Sequence, residues 1–220
     1  MKKISTIRCR RGFTLIELLI TVAISGILMA GVYTAFMSQQ NSYLAQEQVA
    51  EAQQNIRAGL DIMIRDMRMA GYDPDRTGAY GITTATAGQF VFTLDNPDNP
   101  GNQLTLSYDL YSPSYTDTDA LGRSADAGDR SAIAENIEEL EFFYVMDDGT
   151  TSLDPVTAGL LLDDIRSVQV SILARARQPD RNFTNNNTYT TASGATWGPY
   201  DDNFRRRFQI MTVQLRNMGL

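Results

Sequence analysis

Apolar residues crowd the start of the chain and then thin into two different rhythms. From Phe13 to Met37 the sequence is apolar with a single charge, Glu17. Twenty-five residues at about 1.5 Å each make roughly 37 Å of helix, enough to cross a hydrocarbon core of roughly 30 Å. Beyond this stretch the apolar residues keep a helical spacing. Val49, Ala52, Ile56, Leu60, Met63, Met67 and Ala70 recur every three or four positions and form one stripe. Arg57, Asp61 and Arg65 stand at i, i+4 on another face, where they lend modest electrostatic support. Gly59 costs about 1 kcal/mol relative to Ala inside a helix, so packing has to outweigh it. Gly71 and Pro74 mark the stop. The pattern predicts one helix from Phe13 to Ala70, apolar all round in its first half and one-sided in its second. Met63, Met67 and Met69 read as core filling.

From about residue 71 the period falls to two. Gln89–Asp95 and Leu104–Leu110 alternate apolar and polar positions around the turn-rich Asn96-Pro97-Asp98-Asn99-Pro100-Gly101, which predicts a hairpin. Leu140, Phe142, Tyr144 and Met146 alternate in a third strand that ends at Asp147-Asp148-Gly149. Ile165–Ala174 and Phe208–Leu215 supply two more. A segment of about 150 residues suffices for one core, and antiparallel strands can bury one face on a helix while wetting the other. The expected class is α+β: a long N-terminal α-helix, membrane-spanning in its first half, packed on an antiparallel β-sheet domain.

Glu17 is the residue this pattern leaves unexplained. A carboxylate at the centre of a membrane helix costs roughly 2.5–3.5 kcal/mol on insertion scales, so it needs a partner or a purpose. Lys2, Lys3, Arg8, Arg10 and Arg11 precede the span and place the N-terminus in the cytoplasm by the positive-inside rule. A secretory signal peptide would be shorter and would end at a small-residue cleavage site, which the run into Ser38-Gln39-Gln40-Asn41 lacks. A plain signal anchor gives Glu17 no role.

The block Gly12-Phe13-Thr14-Leu15-Ile16-Glu17 after a short basic leader closely resembles the type IV pilin-like prepilin family. The resemblance implies that a prepilin peptidase cuts between Gly12 and Phe13 and N-methylates Phe13. It also implies that Glu17 pairs with the Phe13 amine of a neighbouring subunit during filament assembly. Such a pairing would remove two lone charges from apolar surroundings in one step. Four further blocks resemble PilW-type minor pilins: Met69-Ala70-Gly71-Tyr72, Ala134–Leu140, Ile165–Val170 and Thr212–Asn217. A minor-pilin complex that primes assembly and caps the pilus is thereby implied. Its partners would be other minor and major pilins, the prepilin peptidase and the inner-membrane assembly platform. The expected organisation is a cytoplasmic leader over 1–12, a membrane and filament-core segment over 13–37, an amphipathic segment over 38–70 and an exported domain over 71–220. The subunit would be inserted in the inner membrane before assembly and lie on the pilus or cell surface after it. The J-type pseudopilins of type II secretion are the nearest cousins, so a secretion subunit stays open, as does an anchored binding module that never polymerises. Thr34 stands where many major pilins have a kinking proline, which favours a minor subunit.

Processing would also change the composition. Removal of residues 1–12 takes away Cys9, both lysines and five of the 19 basic residues, so the charge moves from −7 to −12. The remaining chain has no Cys, His or Lys, which closes off a disulfide, an imidazole or thiolate metal site, and a Ser-His or Cys-His pair. No enzyme and no cofactor are expected. An acidic exterior also argues against nucleic acid as a partner.

Three segments have competing readings. Asp117-Thr118-Asp119-Ala120-Leu121-Gly122 matches the first half of a calcium loop, but Leu121 and Gly128 stand where ligands should be. Asp126 and Asp129 would have to complete an irregular cage; a solvated acidic loop is the ordinary account. Residues 178–204 are rich in Asn, Thr and Gly and hold Phe183, Tyr189, Trp197 and Tyr200, in a stretch too long for an idle loop. Either these aromatics pin the loop to the sheet, or Trp197 and Tyr200 meet another subunit. Arg205-Arg206-Arg207 reads as a strand start with solvated or sheet-edge charges, and Asp201-Asp202 as a solvated pair.

Overall fold

The computed structural model describes residues 12–126 and 128–219. Lys2, Lys3, Arg8, Cys9, Arg10 and Arg11 lie outside them. One helix, α1 (Leu15–Met67), runs for 53 residues. The chain divides into two compact units, Met1–Gln46 and Glu47–Leu220.

Among the described residues of the first unit the large apolar side chains are exposed. Phe13 is 90% exposed, and Leu15, Ile16, Leu18, Leu19, Val22, Ile27, Leu28 and Phe36 are exposed with it. The helix carries an 18-residue window of mean hydropathy 2.3, long and apolar enough to cross a membrane. Each such side chain forgoes about 1.5–3 kcal/mol of burial. This surface therefore needs lipid or other protein around it.

The second unit folds α1 into two antiparallel sheets. β1 (Ile82–Ala85), β2 (Gln89–Asp95), β3 (Gln103–Tyr111), β4 (Ala120–Ala125) and β5 (Ser131–Glu135) form a five-stranded meander in chain order. β6 (Ile137–Met146), β7 (Thr151–Ser152), β8 (Ile165–Arg175) and β11 (Arg206–Gln214) form a four-stranded sheet ordered β11-β8-β6-β7. β9 (Tyr189–Thr190) and β10 (Thr196–Trp197) make a small separate ladder. Asn136, at φ +56, carries the chain from the meander into the second sheet.

The stripe on α1 is the bond between helix and sheets. Ala52, Ile56, Leu60, Met63, Met67 and Ala70 are buried, and Val49 is half-buried. Ile56, Leu60, Met63, Met67 and Ala70 share one core with Phe90 and Phe92 of β2, Tyr108 of β3, Phe142 and Tyr144 of β6, and Val168, Val170 and Ile172 of β8. Phe90 lies 5.3 Å from Phe92, 6.0 Å from Phe142 and 5.9 Å from Tyr144, so one ring holds the two sheets together. Phe142 N donates to Ala87 O (2.8 Å) and the Tyr144 hydroxyl to Thr86 O (2.8 Å), closing the same seam with polar bonds. On the helix, Asp66 accepts from the Tyr108 hydroxyl at 2.5 Å and from Arg123 Nε at 2.7 Å. Among the described residues Arg57, Asp61 and Arg65 form no salt bridge, and this half of the helix is ion-paired to β4 through Arg123–Asp66.

The turn signals act close to where the sequence puts them. α1 ends at Met67, three residues before Ala70; Gly71 at φ +72 then donates its N–H to Thr93 O at 3.0 Å. The Asn217 side chain donates to Arg68 O (3.1 Å), and Met218 covers Gly71, so the far end of the chain seals the helix end. The hairpin between β2 and β3 and the third strand stand as expected, though β6 begins at Ile137. β1, β4 and β5 are additions. Sequences such as ALGRSA and SAIAE hold few β-branched residues; β4 pairs with β3 and β5 with β4, and this pairing rather than propensity makes them strands.

Gly59 explains its own presence. A Cβ there would sit 2.8 Å from Ala134 Cβ and 3.3 Å from Leu121 Cδ2, so the missing side chain lets β4 and β5 close on the helix. Gly59→Ala gains about 1 kcal/mol in a free helix. Here the overpacking is expected to win, with a net loss of about 1–3 kcal/mol. The measurement is the urea midpoint; an unchanged or higher midpoint would refute close packing at this contact.

Candidate assembly site

Glu17 lies in the first turn of α1 and is held there by its own chain. Thr14 precedes the helix as its N-cap, and Glu17 is the third helical residue. Thr14 N and Thr14 Oγ1 both donate to Glu17 Oε2 at 3.0 Å, and Glu17 N donates to Thr14 Oγ1 at 3.3 Å. This reciprocal capping box satisfies two of the orphan donors at a helix start. It also keeps the carboxylate at the positive end of the helix dipole. The bonds engage Oε2 alone, and the residue is exposed. The structure thus gives Glu17 a local role beside the charge pairing implied by resemblance. The Thr-x-x-Glu spacing is the capping-box signature, so this role could be read in the sequence. Gly12 and Phe13 are exposed just before the cap.

The segment 178–204 is built onto the second sheet by arginine. Arg206 on β11 has a side chain only 1% exposed. Its guanidinium binds Glu138 through Nε and through Nη2 (2.8 Å to Oε1). It also binds Asp202 through Nη1 (2.6 Å) and Nη2 (2.7 Å). The same plane lies 3.9 Å over the Tyr200 ring, whose hydroxyl donates to Glu139 Oε1 at 3.3 Å. Arg175 stacks on Phe204 and Arg205 on Phe183, and Arg205 also pairs with Asp180 at 2.8 Å. Trp197 meets Phe208 edge-on at 5.8 Å, and Tyr189 meets the same ring at 5.8 Å. Ser193 donates through N and Oγ to the buried Glu141.

Two expectations change. Arg205 to Arg207 are not three solvated charges: Arg206 is buried, Arg205 is paired and Arg207 alone is exposed. Asp202 is likewise half of an ion pair. Strand parity puts Arg206 and Phe208 on one face of β11, where Tyr189, Trp197, Tyr200 and Asp202 cover them, and the sequence alone does not say what covers that end of the strand. Trp197 and Tyr200 both spend one ring face on the domain itself.

The four aspartates considered for calcium are not brought together. Asp119 stands just before β4 and Asp126 just after it, at opposite ends of a strand that rises roughly 3.3 Å per residue. Asp119 accepts from Ser112 Oγ, and Asp126 accepts from Thr105 N (2.8 Å) in a turn at φ +52. Leu121, the residue that breaks the loop pattern, is fully buried against the helix. Among the described residues no group of three acidic, His or Cys side chains is placed to hold a metal.

The arginine cluster should make the loop acid-sensitive. Hydrogen bonds and charge from Arg206 hold the Asp202 carboxyl below its usual range; the Asn182 N–H and then Arg205 do so for Asp180. A lowered folded value means stability that is complete above the unfolded value and lost as pH falls through the folded one. Burial raises Glu139, which works in the opposite sense at higher pH. Fluorescence of Trp197, the single tryptophan, is expected to hold from neutrality down to about pH 5 and to shift below about pH 4. Arg206→Ala is expected to cost about 3–5 kcal/mol and to give the shifted fluorescence at pH 7. Native fluorescence in that variant would remove Arg206 as the anchor.

Comparison with known proteins agrees with this architecture. Among solved structures, a type IV-like pilin from Thermus thermophilus is similar over 76% of this chain and 97% of its own, with a TM-score of 0.50. At 14% identity that likeness is one of fold. A family model described as the prokaryotic N-terminal methylation motif matches residues 7–33, the region of Phe13 and the capping box. The family model of type IV pilus-assembly protein W matches residues 99–217, more than half of the chain, from the β2–β3 turn through β11, and the chain belongs to that family.

Proposed function

We propose that this chain works without catalysis, as a minor subunit that helps to initiate a type IV pilus or to cap it. The observation that carries the reading is the pairing of an exposed, cap-anchored carboxylate with a helix whose apolar side chains are bare from Phe13 to Met37. A helix of this kind gains from entering a bundle of like helices, and one fixed charge sets its register there. In this reading the peptidase cleaves between Gly12 and Phe13, the Phe13 amine is methylated, and Glu17 pairs with that amine on a neighbouring subunit. Segment 13–37 spans the inner membrane before assembly, with the N-terminus cytoplasmic. Segment 38–70 continues the helix, and 71–220 is the exported part that distinguishes this subunit from its partners. Those partners would be other pilins and the inner-membrane platform.

A minor pseudopilin of type II secretion would use the same helix chemistry. The family description, which names pilus assembly, favours the pilus.

Charge and cap can be separated at one residue. Glu17→Gln keeps an acceptor for the Thr14 cap but removes the charge, whereas Thr14→Ala keeps the charge and loses about 0.5–2 kcal/mol of capping. Glu17→Gln is expected to leave processed, membrane-resident protein that no longer enters sheared filaments; Thr14→Ala should still enter them. Incorporation of Glu17→Gln at the wild-type level would defeat the pairing. Deletion of the gene is expected to reduce surface pili and twitching while exoprotein release continues. Lost secretion with normal piliation would assign the chain to the secretion machine.

A further inference from the structure

Unpaired strand edges attract other strands, and this chain treats its edges unequally. β7 has two residues, β1 has four with an irregular register between Ile82 and Thr84, and β5 has five. β11 has nine in unbroken register, and β8 is its only strand neighbour among the described residues.

The direction of its open groups follows from the ladder. Ala176 N donates to Arg205 O at 2.7 Å and Leu215 N donates to Arg166 O at 2.9 Å, in line with the register Arg206↔Arg175 through Gln214↔Ser167. Hydrogen-bonded positions in an antiparallel pair recur every second residue. The odd-numbered residues of β11 therefore bond β8. The N–H and C=O of Phe208, Ile210, Thr212 and Gln214 point to the open side. Ile210 is 44% exposed, and Thr212 and Gln214 are exposed too. Phe208-Gln209-Ile210-Met211-Thr212-Val213-Gln214 contains no charge, proline or glycine, so none of the usual devices blunts this edge. Exposed Arg207 and Arg216 stand near its two ends, and neither makes a salt bridge among the described residues.

We propose that β11 is a docking edge for one extended strand of another protein chain, antiparallel to it, uncharged along its middle and acidic at both ends. Main-chain bonds to the open groups of β11 would give affinity, and the two arginines would select the ends. A second copy of this chain suits the edge less well. Antiparallel self-pairing about Ile210 sets Arg207 opposite Val213, three residues from Arg216 of the second copy, which gathers the two arginines without a salt bridge at each end, where like charges repel. The inference stands apart from the Glu17 reading, which concerns the first turn of α1.

The test uses the full chain in detergent micelles and a fluorescein-labelled peptide, Asp-Asp-Thr-Val-Thr-Ile-Thr-Val-Glu-Glu, with a Lys-ended version as control. Ile210→Pro removes an outward N–H and leaves the β8 ladder intact, and Thr212→Pro does the same one pair along. The acid-ended peptide is expected to bind saturably, and the Lys-ended one about tenfold more weakly. Either proline variant should weaken binding by about tenfold, with thermal melting little changed. In the wild type, amide exchange should be faster at 208, 210, 212 and 214 than at the alternate positions, and should slow when the peptide is added. Uniform protection in the free chain would overturn the proposal, as would no saturable binding or equal binding by folded proline variants. Dimerisation of the wild type that Ile210→Pro abolishes would also overturn it, making a second copy the occupant.

Discussion

The second unit of this protein hangs on one apolar seam. Ile56, Leu60, Met63 and Met67 present a single stripe, and Phe90 receives it while touching Phe92, Phe142 and Tyr144 across two sheets. Neither sheet has a complete core without the helix. The five-stranded meander offers Phe90, Phe92 and Tyr108, and the four-stranded sheet offers Phe142, Tyr144, Val168 and Val170, all from inward positions. Gly59 sets how near the helix may come, and Asp66 fixes its rotation by binding Tyr108 and Arg123. Burial supplies the driving force, while these polar contacts select one arrangement.

Charge in the second unit follows a different plan from that of a solvated acidic surface. Arginine is the sole basic residue type after residue 12, and three arginines each sit over an aromatic ring. A guanidinium can stack and still bind a carboxylate in its plane, as Arg206 does with Tyr200, Glu138 and Asp202. Lysine offers a point charge and could not fill both roles. The 178–204 segment therefore owes its order to planar cations more than to its own composition, which is that of a mobile loop.

Much of the fold could be read from periodicity. The stripe from Val49 to Ala70, the strands at Gln89–Asp95 and Ile165–Ala174, and the turn at Asn96–Gly101 are local patterns, and each forms where its residues indicate. β4 and β5 escaped because Ala, Gly and Ser carry little strand preference; β3 recruits β4 through pairing, and β4 in turn recruits β5. Arg206 escaped for a related reason: burial of a charge depends on Glu138 and Asp202, one of them 68 residues away in sequence. At the helix start the position is reversed. Processing and charge pairing are implied for the Gly12–Glu17 block by resemblance alone, whereas the cap bonds between Thr14 and Glu17 are implicit in the same letters.

The contact between the last residues and the end of α1 bears on how the chain reaches its fold. Asn217 holds Arg68 O across 149 positions, Met218 covers Gly71, and β11 completes its sheet only from residue 206 onward. Such separations make for high contact order and late closure. A chain synthesised only as far as β8 would expose the helix stripe and β8 together until residues 206–218 emerged, a species rich in unpaired edges. Closure of this domain thus waits on residues 206–218, and its exposure to misassembly is set by how long that stretch takes to follow the rest.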